Sequence, residues 1–283
     1  MNKEKFRIIY HLLKTQPWLD EQEEELISLL FEDCKTDEQR QLVLELLNKF
    51  THISHEKFSE LINELVEAIV TEPGITSSNT QIVSMTADYN SDSGQFVLYA
   101  LKGALERLGW RDHLSITNFQ RSYREYKKNG EVHKNIILID EFVGSGKTAV
   151  NRAETLSKLY KDQGVDGVTI KIKAIASSEI GIKHIKDNNL HIESLLVLNK
   201  GISNSDNEDE IPQKLTLMNE LESMLSTIYE GRQLPKLGYG KTECLYSRAD
   251  GNTPNSVFPI FWWPILANQT PRKTLLVRAM GDA

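Results

Sequence analysis

One stretch constrains this chain more than any other: Asn135-Ile136-Ile137-Leu138-Ile139-Asp140-Glu141-Phe142-Val143-Gly144-Ser145-Gly146-Lys147-Thr148. The apolar run predicts a buried strand over 135–139, and the small residues beyond it predict a tight turn opening a helix over 149–163. In such a unit the backbone N–H groups of Gly144, Ser145, Gly146, Lys147 and Thr148 converge at the positive end of the helix. The hydroxyls of Ser145 and Thr148 add donors, so the turn suits a phosphate monoester. Asp140 and Glu141 sit at the carboxyl end of the strand, where carboxylates accept hydrogen bonds from two ribose hydroxyls. Sugar and phosphate would then be read together.

The ending Gly146-Lys147-Thr148 also matches the end of a nucleotide triphosphate loop of the Walker type. That motif needs a glycine five residues before Gly146, and position 141 is Glu. A carboxylate there would oppose a triphosphate, which disfavours the reading.

The rest of the chain places this unit in a larger pattern. Strands are predicted over 81–86, 114–118, 167–175 and 192–198, with helices over 96–108 and 180–188. Such alternation predicts an α/β fold, a mainly parallel sheet flanked by helices on both faces. Upstream, apolar stripes at helical spacing over 6–70 predict about four helices, with starts at Thr36 and Ser54 and a stop at Glu72-Pro73-Gly74. An N-terminal all-α helical domain over 1–73 and a second domain over 74–283 are the expected division. The acidic stretch 204–210 reads as an exposed loop, 215–228 as a helix, and 238–263 as a turn-rich aromatic closing segment.

Forty acidic against 33 basic side chains give a net charge of −7, which disfavours a free-standing nucleic-acid binder. Against that background the basic residues Arg121, Arg124, Lys127, Lys128 and His133, gathered around Tyr123 and Tyr126, stand out as a segment able to fold over an anionic ligand or to remain a solvated helix. Cys34 and Cys244 lack paired spacing and read as buried thiols of a reducing cytoplasm. His52 and His55 lack the further ligands a metal site needs. The most apolar stretch, 257–267, is short and interrupted by Pro259 and Pro264, so no membrane span or secretion signal is expected.

Residues 136–148 resemble the PRPP-binding motif of type I phosphoribosyltransferases: a hydrophobic strand, two acidic residues, and a Ser/Thr-Gly-x-Thr turn. The resemblance implies that Asp140 and Glu141 hold the ribose hydroxyls of PRPP while Gly144, Ser145, Gly146, Lys147 and Thr148 hold its 5-phosphate. It also implies Mg²⁺ bridging ribose and diphosphate, with no metal ligands assigned to the protein. A diphosphate-binding loop would lie over 87–94 and include Asp88, and Arg121, Arg124, Lys127 and Lys128 would assist the diphosphate. The loop 87–94 departs from many family members in carrying no Lys or Arg.

A second resemblance lies in Leu237-Gly238-Tyr239-Gly240 and the run from Asn252 through Thr253-Pro254-Asn255 to Trp262-Trp263. It is similar to the ending of phosphoribosyltransferase-like effectors of bacterial anti-phage systems, some encoded beside retron reverse transcriptases. It implies transfer of a phosphoribosyl group as a defence effector, with partner proteins or a reverse transcriptase and nucleic-acid complex. The alternative is a non-catalytic subunit that senses PRPP or a nucleotide, or serves assembly.

Overall fold

The computed structural model describes residues 3–87 and 93–279. Its contacts divide them into two compact units, one built from residues up to Ser54 together with those from Leu198 onward, the other from His55–Val197.

The first unit begins with helices α1 (Lys3–Thr15), α2 (Glu23–Ser28) and α3 (Asp37–Asn48). The Thr36 hydroxyl accepts the Gln39 N–H and starts α3 where the sequence predicts, and Leu42, Val43, Leu46 and Leu47 bury one stripe of it. A strand too short for periodicity to reveal, β1 (Thr51–Ile53), follows. His52 lies in β1, where its ring stacks on Trp18 at 4.8 Å and Nδ1 meets Ser247 Oγ at 2.9 Å. His55 opens the next helix, so the two imidazoles lie on different elements.

The second unit opens with α4 (His55–Val70), whose buried stripe is Phe58, Leu61, Ile62, Leu65, Val66 and Ile69. The expected boundary near residue 73 falls at the end of this helix, and the contacts group α4 with the sheet that follows. Next come β2 (Thr80–Ser84), α5 (Ser93–Arg107), β3 (Leu114–Ile116), α6 (Ser122–Lys128), β4 (Asn135–Val143), α7 (Lys147–Asp162), β5 (Thr169–Ser178), α8 (Glu179–Asp187) and β6 (His191–Leu198). The sheet order is β3-β2-β4-β5-β6, and the β2–β3, β2–β4 and β4–β5 pairs are all parallel. The mainly parallel α/β sheet expected from the sequence is thus present. Helices α6, α7 and α8 cover one face, where Ile136, Leu138, Ile172 and Ala174 join Tyr126, Leu156, Tyr160 and Ile185 in one core cluster. Helices α4 and α5 pack together on the other face, with Phe58 stacked on Phe96 at 5.4 Å.

The first unit is completed by α9 (Ile211–Ser223), the short strands β7 (Ile228–Tyr229) and β8 (Arg232–Gln233), and β9 (Tyr246–Arg248). Strand β9 pairs in parallel with β1, Lys214 bridges to Glu45 at 2.7 Å, and the nearly buried Arg272 pairs with Asp33. Trp262 and Trp263 are both buried and belong to this core. No helix among the described residues is long and apolar enough to cross a membrane.

A buried charge cluster braces the sheet unit. Lys173 of β5 is fully buried and bonds to Glu72, at 2.7 Å, and to Glu193 of β6, while Lys171 reaches the other Glu72 oxygen at 2.5 Å. Burial alone would raise the Glu72 pKa, but the hydrogen bonds and charges of the two lysines prevail and hold it at about 2, against an ordinary 4.5. A depressed carboxyl pKa stabilises the fold above the ordinary value and ceases to do so as pH falls through the folded one. Glu72→Gln is therefore expected to cost about 3 kcal/mol near neutrality, by leaving Lys173 one carboxylate short. Urea unfolding of both proteins should show that difference shrinking between pH 4.5 and pH 2; a constant difference would mean that the Glu72 charge is not its source.

Candidate functional site

The strand ladder itself makes the crevice. Pairing of β2 with β4 ends at Ser84 opposite Ile139, whereas β4 runs on beside β5 to Val143 opposite Ser177. Residues 140–143 therefore have β5 on one side and the end of β2 on the other. The chain leaves β2 for the α5 face and leaves β4 for the α7 face, so this is where strand order reverses, the place at which open α/β sheets bind ligands beyond their strand ends. Asp140 is the first residue of β4 past the β2 ladder. The sequence predicts an end to the strand at residue 139; in the structure both carboxylates lie inside it.

Strand alternation sends the two carboxylates to opposite faces. Asp140 follows Ile136 and Leu138 on the α7 side and is half-buried, whereas Glu141 follows Ile137 and Ile139 and is only 3% exposed. Asp140 Oδ1 accepts the Glu141 N–H at 2.7 Å and the hydroxyl of Ser93, the first residue of α5, at 2.8 Å. Ser93 opens α5, so the carboxylate is held at the start of that helix.

The turn from β4 to α7 is held by backbone contact. Gly146, at φ 76°, caps α7 in a left-handed conformation, and a Cβ there would lie 2.7 Å from Gly181 O. A Cβ on Gly181 would lie 2.2 Å from Gly144 O. Ser178 completes the joint: its hydroxyl donates to Gly144 O at 2.6 Å and accepts the Gly181 N–H at 2.9 Å, capping α8. The first turn of α7 thereby presents N–H groups that have no intrahelical acceptor. Gly144 and Ser145 are half-buried, Gly146 is buried, and Lys147 and Thr148 are exposed. Among the described residues, the hydroxyls of Ser145 and Thr148 form no hydrogen bond with another side chain or with the backbone, so both are available to a ligand.

The remaining predicted residues are placed differently. Asp88 lies outside the described residues. The basic segment starts at the crevice, where Phe119 N–H donates to Thr86 O at 3.2 Å and Asn118 Nδ2 to Ala87 O at 3.1 Å. It then descends along α6, which buries Ser122 and Tyr126 and hydrogen-bonds Gln81 through the Ser122 hydroxyl at 2.8 Å. Lys127 pairs with Glu131, and Arg124 and Lys128 with Glu125 at 3.0 and 3.8 Å. Glu131 precedes β4, whose first residue, Asn135, is itself five residues or about 17 Å of strand before Asp140. The structure therefore does not bring Lys127 and Lys128 to the turn, whereas Arg121 stays near the level of residues 118 and 119.

Two residues escaped the sequence reading. Ser93 was only one polar residue of a loop until the helix start placed it on Asp140. Arg152, one helical turn beyond Thr148, donates through Nε to Met85 O at 3.3 Å and lies over the Phe119 ring at 4.6 Å. Its spacing from Thr148 is the one signal that was available. The joint between the turn and α8 also yields a test. Gly181→Ala is expected to lower unfolding free energy by about 1–3 kcal/mol, because a rigid carbonyl must give way to the new methyl; unchanged stability in urea unfolding would show that the contact is slack.

Among solved structures the chain is similar to a hypothetical protein from Neisseria gonorrhoeae with bound ppGpp, at TM-score 0.34 and 13% identity over 58% of this chain and 95% of that one. It is similar to the xanthine-guanine-hypoxanthine phosphoribosyltransferase of Helicobacter pylori, at TM-score 0.31 and 15% identity over 52% and 84%. The orotate phosphoribosyltransferase of Aeropyrum pernix gives 0.31 and 11% over 57% and 76%. No curated protein matches. The fold is read from the strand order above, and the family from a match that spans residues 17–278: the chain belongs to the PRTase-CE family, a phosphoribosyltransferase-like family.

Proposed function

We propose that the chain binds PRPP or a related ribose 5-phosphate nucleotide in the crevice between β2 and β4 and transfers its phosphoribosyl group to an acceptor. The observation that carries this reading is the early end of the β2 ladder, which leaves Asp140 and the 144–148 turn together at the reversal of strand order. In this reading the N–H groups and hydroxyls of the turn take the 5-phosphate, as a helix N-terminus favours. Asp140, pre-oriented by Ser93, accepts from a ribose hydroxyl, while Glu141 is buried on the opposite face of the strand end. Reaction at C1 breaks the bond to diphosphate while the acceptor forms the new one, so the protein's task is to hold the sugar still and balance charge on the departing group.

Asp140 is the carboxylate that would help hold the Mg²⁺ that the resemblance implies, and the ion would offset negative charge on the leaving group.

A defence role is the further part of the proposal. The two C-terminal motifs that resemble those of anti-phage effectors are folded onto each other: Tyr239 N–H donates to Asn255 O at 2.8 Å, and the Thr242 hydroxyl to Ser256 O at 2.8 Å. A role as part of a complex with partner proteins or a nucleoprotein is compatible with this and with a site that only senses its ligand.

Calorimetric titration with PRPP tests the site. Asp140→Asn is expected to weaken binding about tenfold or more, by removing a charge-assisted hydrogen bond, with Glu141→Gln having the smaller effect because that side chain is buried on the other face. Undiminished affinity in Asp140→Asn would overturn the sugar site. For the defence role, plaque counts on cells expressing the full chain should fall relative to cells expressing Asp140→Asn; equal counts would remove the link between this site and defence.

A further inference from the structure

The presumed diphosphate loop, residues 87–94, contains no Lys or Arg, and the cations at the end of α6 descend away from the crevice. A ligand with three phosphate groups would nonetheless bring several negative charges to this edge of the sheet. Arg152 is placed to meet them. It flanks the buried face of α7, formed by Ala149, Val150, Ala153, Leu156 and Tyr160, and helical side chains lean toward the N-terminus of their helix. Its head group is thus carried up to Met85, the first residue past β2.

There the guanidinium is fixed on two sides. Nε is occupied by Met85 O, and the Phe119 ring, itself 2% exposed, lies against the planar face. Phe119 is held in turn through its N–H to Thr86 O. A guanidinium has five N–H donors in a rigid fork, and among the described residues one of them is used. Among the described residues no carboxylate pairs with Arg152, and its two Nη groups donate to no acceptor. For an exposed arginine that would carry no information. This one is half-buried and held at Met85, the first residue past the end of β2, and at the Phe119 ring.

We propose that Arg152 is a substrate-binding residue for the diphosphate on C1 of the ribose 5-phosphate ligand, distinct from the 144–148 turn that takes the 5-phosphate. This rests on the reading given under Proposed function. A fork of N–H donors matches adjacent non-bridging oxygens of a diphosphate. When the C1–O bond breaks, its electron pair stays with the diphosphate, the acceptor's lone pair forms the new bond to C1, and Arg152 keeps its proton while its hydrogen bonds strengthen toward the more negative group. The competing role is purely structural, the pinning of Met85 to α7.

Titration of the full chain with three probes separates these roles. PRPP carries both phosphate arms, ribose 5-phosphate only one, and inorganic diphosphate only the other. Arg152→Gln is expected to weaken PRPP and diphosphate about tenfold or more while leaving ribose 5-phosphate within about twofold, with Arg152→Lys between the two. Equal loss for PRPP and ribose 5-phosphate, or no loss for PRPP, would overturn the proposal and leave Arg152 a structural residue. If the unaltered protein bound neither PRPP nor ribose 5-phosphate, the ribose phosphate reading would fall, and diphosphate alone would decide: Arg152-dependent binding would keep an anion site here, and none would remove it.

Discussion

Everything at the candidate site depends on β4 being the central strand, hydrogen-bonded along its first half to β2 and along its whole length to β5. Central strands of parallel sheets are apolar because both faces are covered, and β4 obeys this from Ile136 to Ile139, all at most 1% exposed. The unequal lengths of its neighbours then do the rest. Where β2 stops, one edge of β4 is released while the other stays anchored, and the first residue there is Asp140. A carboxylate on an anchored strand keeps its position with little rotational freedom to lose when a ligand arrives, which is a form of preorganisation.

The second constraint is the meeting of two backbones. Gly144 and Gly146 on one side and Gly181 on the other approach so closely that neither side has room for a methyl group. The 144–148 turn is thus positioned from the start of α8, and Ser178 ties the two together by giving its proton to one and its lone pair to the other. On the opposite face of the sheet, Lys173 is held by Glu72 and Glu193, so β5 is fixed to the end of α4 and to β6. The strand that anchors Asp140 is therefore itself anchored on both faces.

Much of this was legible in the residues. Alternating strand and helix patterns give the sheet, and the apolar run followed by two acids and a Gly-rich turn gives the strand, turn and helix of the candidate site, because those signals are local. What was hidden was non-local. The continuation of β4 through two carboxylates and on to Val143 requires knowing that β5 reaches Ser178 beside it. The amphipathic stripe of α4 says that it buries a face, but not that the face belongs to the sheet rather than to the helices before it. Strand β1 is three residues long and exists because β9, almost two hundred residues later, lies beside it. Arg152 looks like an ordinary helix surface residue until the end of β2 supplies a carbonyl for one of its nitrogens, and the cations of α6 look equivalent until the helix carries two of them away.

The sheet unit is one continuous run of chain, while the other unit takes its strands and helices from both sides of that run. During synthesis the first three helices emerge before the sheet unit, yet the partners that complete their core, β9, Lys214 and Arg272 among them, emerge after it. The sheet unit has every one of its strands available well before then. A ribosome-bound intermediate would accordingly hold a completed sheet while the apolar stripes of the first three helices still lack their cover, and that cover is supplied by residues 198–279.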